Sequence, residues 1–149
     1  MNELEFLQKD ISSKTASITK EIIAEIEIYM NSFDKKELFS FSRNNIELKK
    51  HSENYFSFMS GISSKIAILI EENARLASLL IKADKAMDIA LIATCEKRFN
   101  AFEVFEQELY KYTSSMEKAF SNGTPPPTFL LNASQQFKAA LNKLLEVNL

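Results

Sequence analysis

Glycine and proline are scarce in this chain, and their placement decides how it can fold. Gly61 and Gly123 are the two glycines, and Pro125, Pro126 and Pro127 the three prolines, among 149 residues. Residues 62–122 hold neither, a stretch of about 60 positions with room for ~90 Å of helix. Glycine-rich phosphate loops and nucleophile elbows need glycines that this chain does not have. Cys95 is the only cysteine and His51 the only histidine. An intramolecular disulfide is excluded, and no zinc-type ligand spacing surrounds either residue. Long hydrophobic runs are missing too. The most apolar, residues 66–70, stops at Glu71-Glu72, far short of the roughly 20 residues a membrane span needs. The opening Met-Asn-Glu-Leu-Glu-Phe carries acid where a signal peptide needs base. A cytoplasmic protein without membrane insertion is expected. Neither sign of charge dominates: 18 basic residues face 20 acidic ones. Lys35, Lys36, Arg43, Lys49 and Lys50 are interleaved with Asp34, Glu37, Glu47 and Glu53, so no basic stripe points to nucleic acid.

What is present is helical periodicity. At 46% hydrophobic and 26% charged, the chain suits one soluble domain with a real core. Leu4, Leu7, Ile11, Ile18, Ile22, Ile26, Tyr29 and Phe33 recur at three, four and seven, one face of a helix that passes Thr15. Ser32 and Asp34 are both candidate caps for the next helix. From Leu38 a three-four alternation runs through Phe41, Asn45, Leu48, Ser52, Tyr55 and Met59. It continues in register past Gly61 as Ile62, Ile66, Leu69, Asn73, Leu76, Leu80, Ala83, Met87 and Ala90. Such spacing marks helices packed along one another. Gly61 then admits two readings. It is either a tight turn before Ser63-Ser64, or one residue of an uninterrupted helix about 130 Å long whose exposed seam forces dimerisation. The turn is expected, because it lets the segments bury one another.

The expected fold is all-α: an antiparallel three-helix bundle or coiled-coil hairpin with a long central third helix, then a Pro-rich linker and a short C-terminal helix. Helices are predicted over 3–33, 35–59, 62–121 and 133–147. Residues 1–122 form the bundle, 123–132 the linker and 133–149 the terminal amphipathic helix. The third helix is apolar on more than one side (Ile68, Leu79, Ile81, Ile89 and Ile92 lie off the seam), so neighbours should cover it on several flanks. Past Phe99 it carries an aromatic stripe of Phe102, Phe105, Leu109, Tyr112, Met116 and Phe120.

No constellation carries catalysis. His51 reads as a surface residue, Cys95 as a small core hydrophobe, and Asp84 with Asp88 as carboxylates sharing a solvated helix face beside Lys82 and Lys85. No catalytic residue, metal or cofactor is expected, and the chain is not read as an enzyme. The tail offers the one candidate site. Asn132 with Gln135 resembles a capping box. Beyond it Phe137, Ala140, Leu141, Leu144 and Leu145, with Phe129 ahead of the box, form an apolar set suited to a partner's groove. Its alternative reading is a fourth helix docked on its own bundle.

Three stretches resemble the FlgN-type flagellar export chaperones: Asp34-Lys-Lys-Glu-Leu38 with Phe41; Leu69-x-x-Glu72-Asn73-x-x-Leu76 followed by Leu79-Leu80 and Ala83-Ala86-Met87; and Phe120-Ser-Asn-Gly123 before a short terminal helix. The resemblance implies an all-helical cytoplasmic chaperone. Its client-binding tail would mask an amphipathic helix of a hook–filament junction protein until export. The alternative is a structural coiled-coil or adaptor protein acting through dimerisation along the 38–90 seam. The partner expected is thus a protein client, and the state a monomer or homodimer.

Overall fold

The computed structural model describes residues 2–33, 45–123 and 126–147, with the side chains of the second helix from Lys49 onward. The expected cap at Asp34, the helix start near 35, and Leu38 and Phe41 lie outside the described residues. Four helices follow one another: α1 (Glu3–Asn31), α2 (Asn45–Lys85), α3 (Ile89–Ser121) and α4 (Pro127–Glu146). No strand occurs among the described residues, so the all-α expectation holds.

Helix α1 forms where the stripe predicts. Asn2 caps it by accepting from the Glu5 amide at 2.8 Å, and Glu3 and Glu5 sit at the positive end of the helix dipole. Ile11, Ile18, Ile22, Ile26 and Tyr29 are buried along its inner face.

The expected turn at Gly61 is corrected, because α2 runs straight through it. One interior glycine costs only about 1 kcal/mol relative to alanine. The buried register on either side, Tyr55, Ile62, Ile66, Leu69 and Leu76, outweighs that. Gly61 itself faces outward, and a Cβ there would meet nothing nearer than the Glu25 carboxylate at 4.0 Å.

The chain reverses instead at residues 86–88, inside the stretch expected to be one long helix. The Met87 amide donates to the Asp84 carbonyl and the Asp88 amide to the Ala83 carbonyl, each at 3.0 Å. That is the paired pattern of a Schellman C-cap, with Met87 at the left-handed position, φ 57°. Asp88 at once caps α3, accepting from the Leu91 amide at 3.1 Å. Asp84 and Asp88 therefore do not share a helix face. The glycine and the methionine stand in each other's ideal places. Gly61→Ala is expected to raise stability by about 0.5–1 kcal/mol through helix propensity. Met87→Gly is expected to do the same by relieving the left-handed strain, net of glycine's entropy. Chemical denaturation of both variants checks this.

The reversal makes the architecture a four-helix bundle rather than three helices with an overlong third. Ion pairs lay α1 antiparallel to α2: Glu3–Lys82 at 2.9 Å, Asp10–Arg75 at 2.7 Å and Glu25–Lys65 at 2.8 Å. Helix α3 packs on α2 and α4, and α4 closes the ring on α1 through Lys138–Glu27 at 3.0 Å. This is up-down-up-down topology. The seam expected to drive dimerisation is used internally, since Tyr55, Ile62, Ile66, Leu69, Leu76 and Ala83 are buried within the bundle.

Two apolar clusters make the core. The larger gathers Ile22, Ile26, Ile62, Phe105, Phe137 and Leu141, and the smaller Ile11, Leu79, Ala83, Leu91 and Cys95. A polar belt lies where they meet. Buried Glu72 holds Arg75, Arg75 reaches Asp10, and buried Arg98 donates to Ser12 Oγ. Thr15, Glu72, Asn73 and Arg98 also line a cavity of about 20 Å³ there, enough for a single water molecule.

Candidate interaction surface

The aromatic stripe of α3 meets α4 and α2. Tyr112 stacks on Phe137 with centroids 4.9 Å apart, Phe105 lies 6.0 Å from Phe137, and the Tyr112 hydroxyl pairs with Ser134 Oγ at 2.9 Å. Each contact pins α4 inward. Helix α4 begins at Pro127, where the missing amide hydrogen costs nothing at the first helical position. The linker is accordingly shorter than the expected 123–132, and Asn132 sits inside the helix rather than capping it.

The tail residues singled out by sequence separate into two groups. Phe137, Ala140, Leu141 and Leu144 are buried in the protein's own core. Phe129 is 38% exposed and Leu145 half-buried. Binding a partner through the whole set would require α4 to leave the bundle. The reading of the tail as a separate module is replaced by a docked fourth helix.

His51 is also corrected. It is buried, not on the surface, with its ring stacked on Phe33 at 5.2 Å. The expected surface position fails because Phe33 ends the α1 stripe opposite it. Cys95 is fully buried amid Leu91, Leu79 and Ala83, as expected of a core hydrophobe, and burial pushes its thiol pKa up. Among the described residues no three metal-ligating side chains gather, and no helix is long and apolar enough to cross a membrane.

A surface with the character of a binding site lies between α2 and α3. An open groove of about 370 Å³ is floored by Met59, Ile66, Phe105 and Leu109. Ser63 and Ile70 form its α2 wall, and Glu106, Tyr110 and Thr113 its α3 wall. Ile70 is 50% exposed and Tyr110 75%. Phe56, 57% exposed, extends the apolar edge one step along α2 and lies 6.4 Å from the Phe120 ring. Sequence reasoning passed over the groove, since the off-seam isoleucines were read as flanks that neighbours cover. Ile68, Ile81 and Ile89 are in fact exposed, like Ile70.

No protein-family model, curated protein or solved structure matches this chain.

Proposed function

We propose that this protein is a binding module, not an enzyme, and that it takes an amphipathic helix of another protein into the α2–α3 groove as a fifth helix. The observation that carries this is the groove itself, an apolar floor flanked by exposed Ile70 and Tyr110. Burying such side chains contributes roughly 1.5–3 kcal/mol each, offset by the cost of association. A rigid groove on two helices also lowers that cost, because little has to be ordered when the partner arrives. Masking a client helix that would otherwise self-assemble is the role this suits. The resemblance to FlgN-type export chaperones supports it, and a hook–filament junction type of client is the corresponding proposal. In this reading α4 is scaffold: it holds Phe105 and Tyr112 in place behind the groove floor.

The test is photo-cross-linking from p-benzoylphenylalanine placed at position 70 in the full chain, with position 97 on the far flank of α3 as control. One discrete adduct from position 70, lost on Tyr110→Ala and absent from position 97, is expected. Equal adducts from both positions, or none from 70, would contradict the reading.

A further inference from the structure

We infer that the helix taken by the α2–α3 groove is a basic one, an apolar stripe edged with lysine or arginine. This rests on the groove being the binding site and assigns the chemistry of its occupant. The α3 wall is acidic along its length: Glu96, Glu103, Tyr110 and Glu117 recur every seven residues, and Glu106 lines the groove between them. All four glutamates are exposed, and among the described residues none has an ion-pair partner. Glu117 faces α2 closely enough that its charge adds to burial in raising the Tyr55 pKa.

Of the α2 cations, Lys65, Arg75 and Lys82 turn to α1, where Glu25, Asp10 and Glu3 hold them, while Lys49 (paired with Glu53), Lys50 and Lys85 lie toward the two ends of the helix, beyond the groove-lining residues. On α3, Lys97, Lys111 and Lys118 lie roughly 80–140° around the helix from Tyr110 at the groove edge, at about 100° per residue. The groove thus has an apolar floor and a wall of unneutralised carboxylates. A helix with lysines beside its apolar stripe satisfies both. A second copy of this chain does not, because a two-fold interface brings the same patch against itself and sets the glutamate rows face to face.

Two peptides about three heptads long test this against the full protein: a leucine-striped helix with lysine flanks, and its counterpart with glutamate at every lysine. Binding is followed by amide chemical-shift changes at Ser63, Ile66, Ile70, Tyr110 and Thr113. The lysine peptide is expected to bind at least about tenfold more tightly at low salt, with the advantage shrinking as salt is added. The preference should reverse in Glu103→Lys/Glu106→Lys/Glu117→Lys, whose changes are all at exposed positions and should leave the melting temperature nearly unchanged. Groove shifts with equal affinity for both peptides, or a preference for the glutamate peptide, would overturn the basic partner and leave the groove as a binding site. Shifts at the groove with neither peptide would overturn both.

Discussion

Replacing Leu141 and Leu144 together by aspartate is expected to abolish the folded state. Leu141 is fully buried and Leu144 nearly so, both in the larger core cluster with Phe105 and Phe137. Truncating one such leucine to alanine costs about 2–5 kcal/mol, and a carboxylate in its place must also be desolvated without a partner. Two of them together match or exceed the roughly 5–15 kcal/mol that holds a domain of ordinary stability. Loss of the cooperative thermal transition, followed by circular dichroism, is the expected result. A double variant that melts like the parent would place α4 outside the core, and would restore the tail as a free binding segment.

Alkaline pH is expected to unfold the bundle over a defined window. Tyr29, Tyr55 and Tyr112 are buried, and burial is the largest cause raising the pKa of each above the ordinary 10.0. Tyr55 is pushed up to about 12. The hydrogen bond to Ser134 partly opposes the rise at Tyr112. The unfolded chain releases these protons near pH 10 while the folded chain keeps them, so above that pH the unfolded state binds fewer protons and stability falls. Their contribution is fully present below about pH 10 and is lost as pH climbs through the folded-state values, from about 12 for Tyr55. Melting temperatures should therefore hold steady up to about pH 10 and then drop, with tyrosinate absorbance from the buried rings appearing together with loss of helicity. Ionisation of these rings without loss of helicity would show them to be accessible, and the interior packing to be wrong.

The parts of the fold legible in the sequence were those set by periodicity. The α1 stripe from Ile11 to Phe33 is buried as spaced, and the register carried past Gly61 is the register of a single helix. The breaks were misread because glycine and proline were taken as the punctuation. Gly61 interrupts nothing, since the burial on either side outweighs its weak helix propensity. Met87 makes the real reversal with a residue that carries no turn signal, held by two backbone hydrogen bonds. Pro127 was assigned to a linker although proline is well suited to the first turn of a helix. The tail's apolar face was legible as a face, but the Tyr112–Ser134 and Phe137 contacts that turn it inward join residues from different helices. The groove was hidden for the same reason. Ser63 and Ile70 come from one helix, Glu106 and Tyr110 from the next, and only the reversal at residues 86–88 sets them side by side.

Native-state hydrogen exchange across α4 tests the central claim most directly, because the groove is the binding surface only if the tail is part of the scaffold. If α4 is a core helix, the amides of Phe137, Leu141 and Leu144 exchange only through global unfolding, at the rate of Phe105 and Tyr112 in α3. Exchange at those α4 amides near the rate of a free peptide, while α3 stays protected, would show a detached tail and contradict the account.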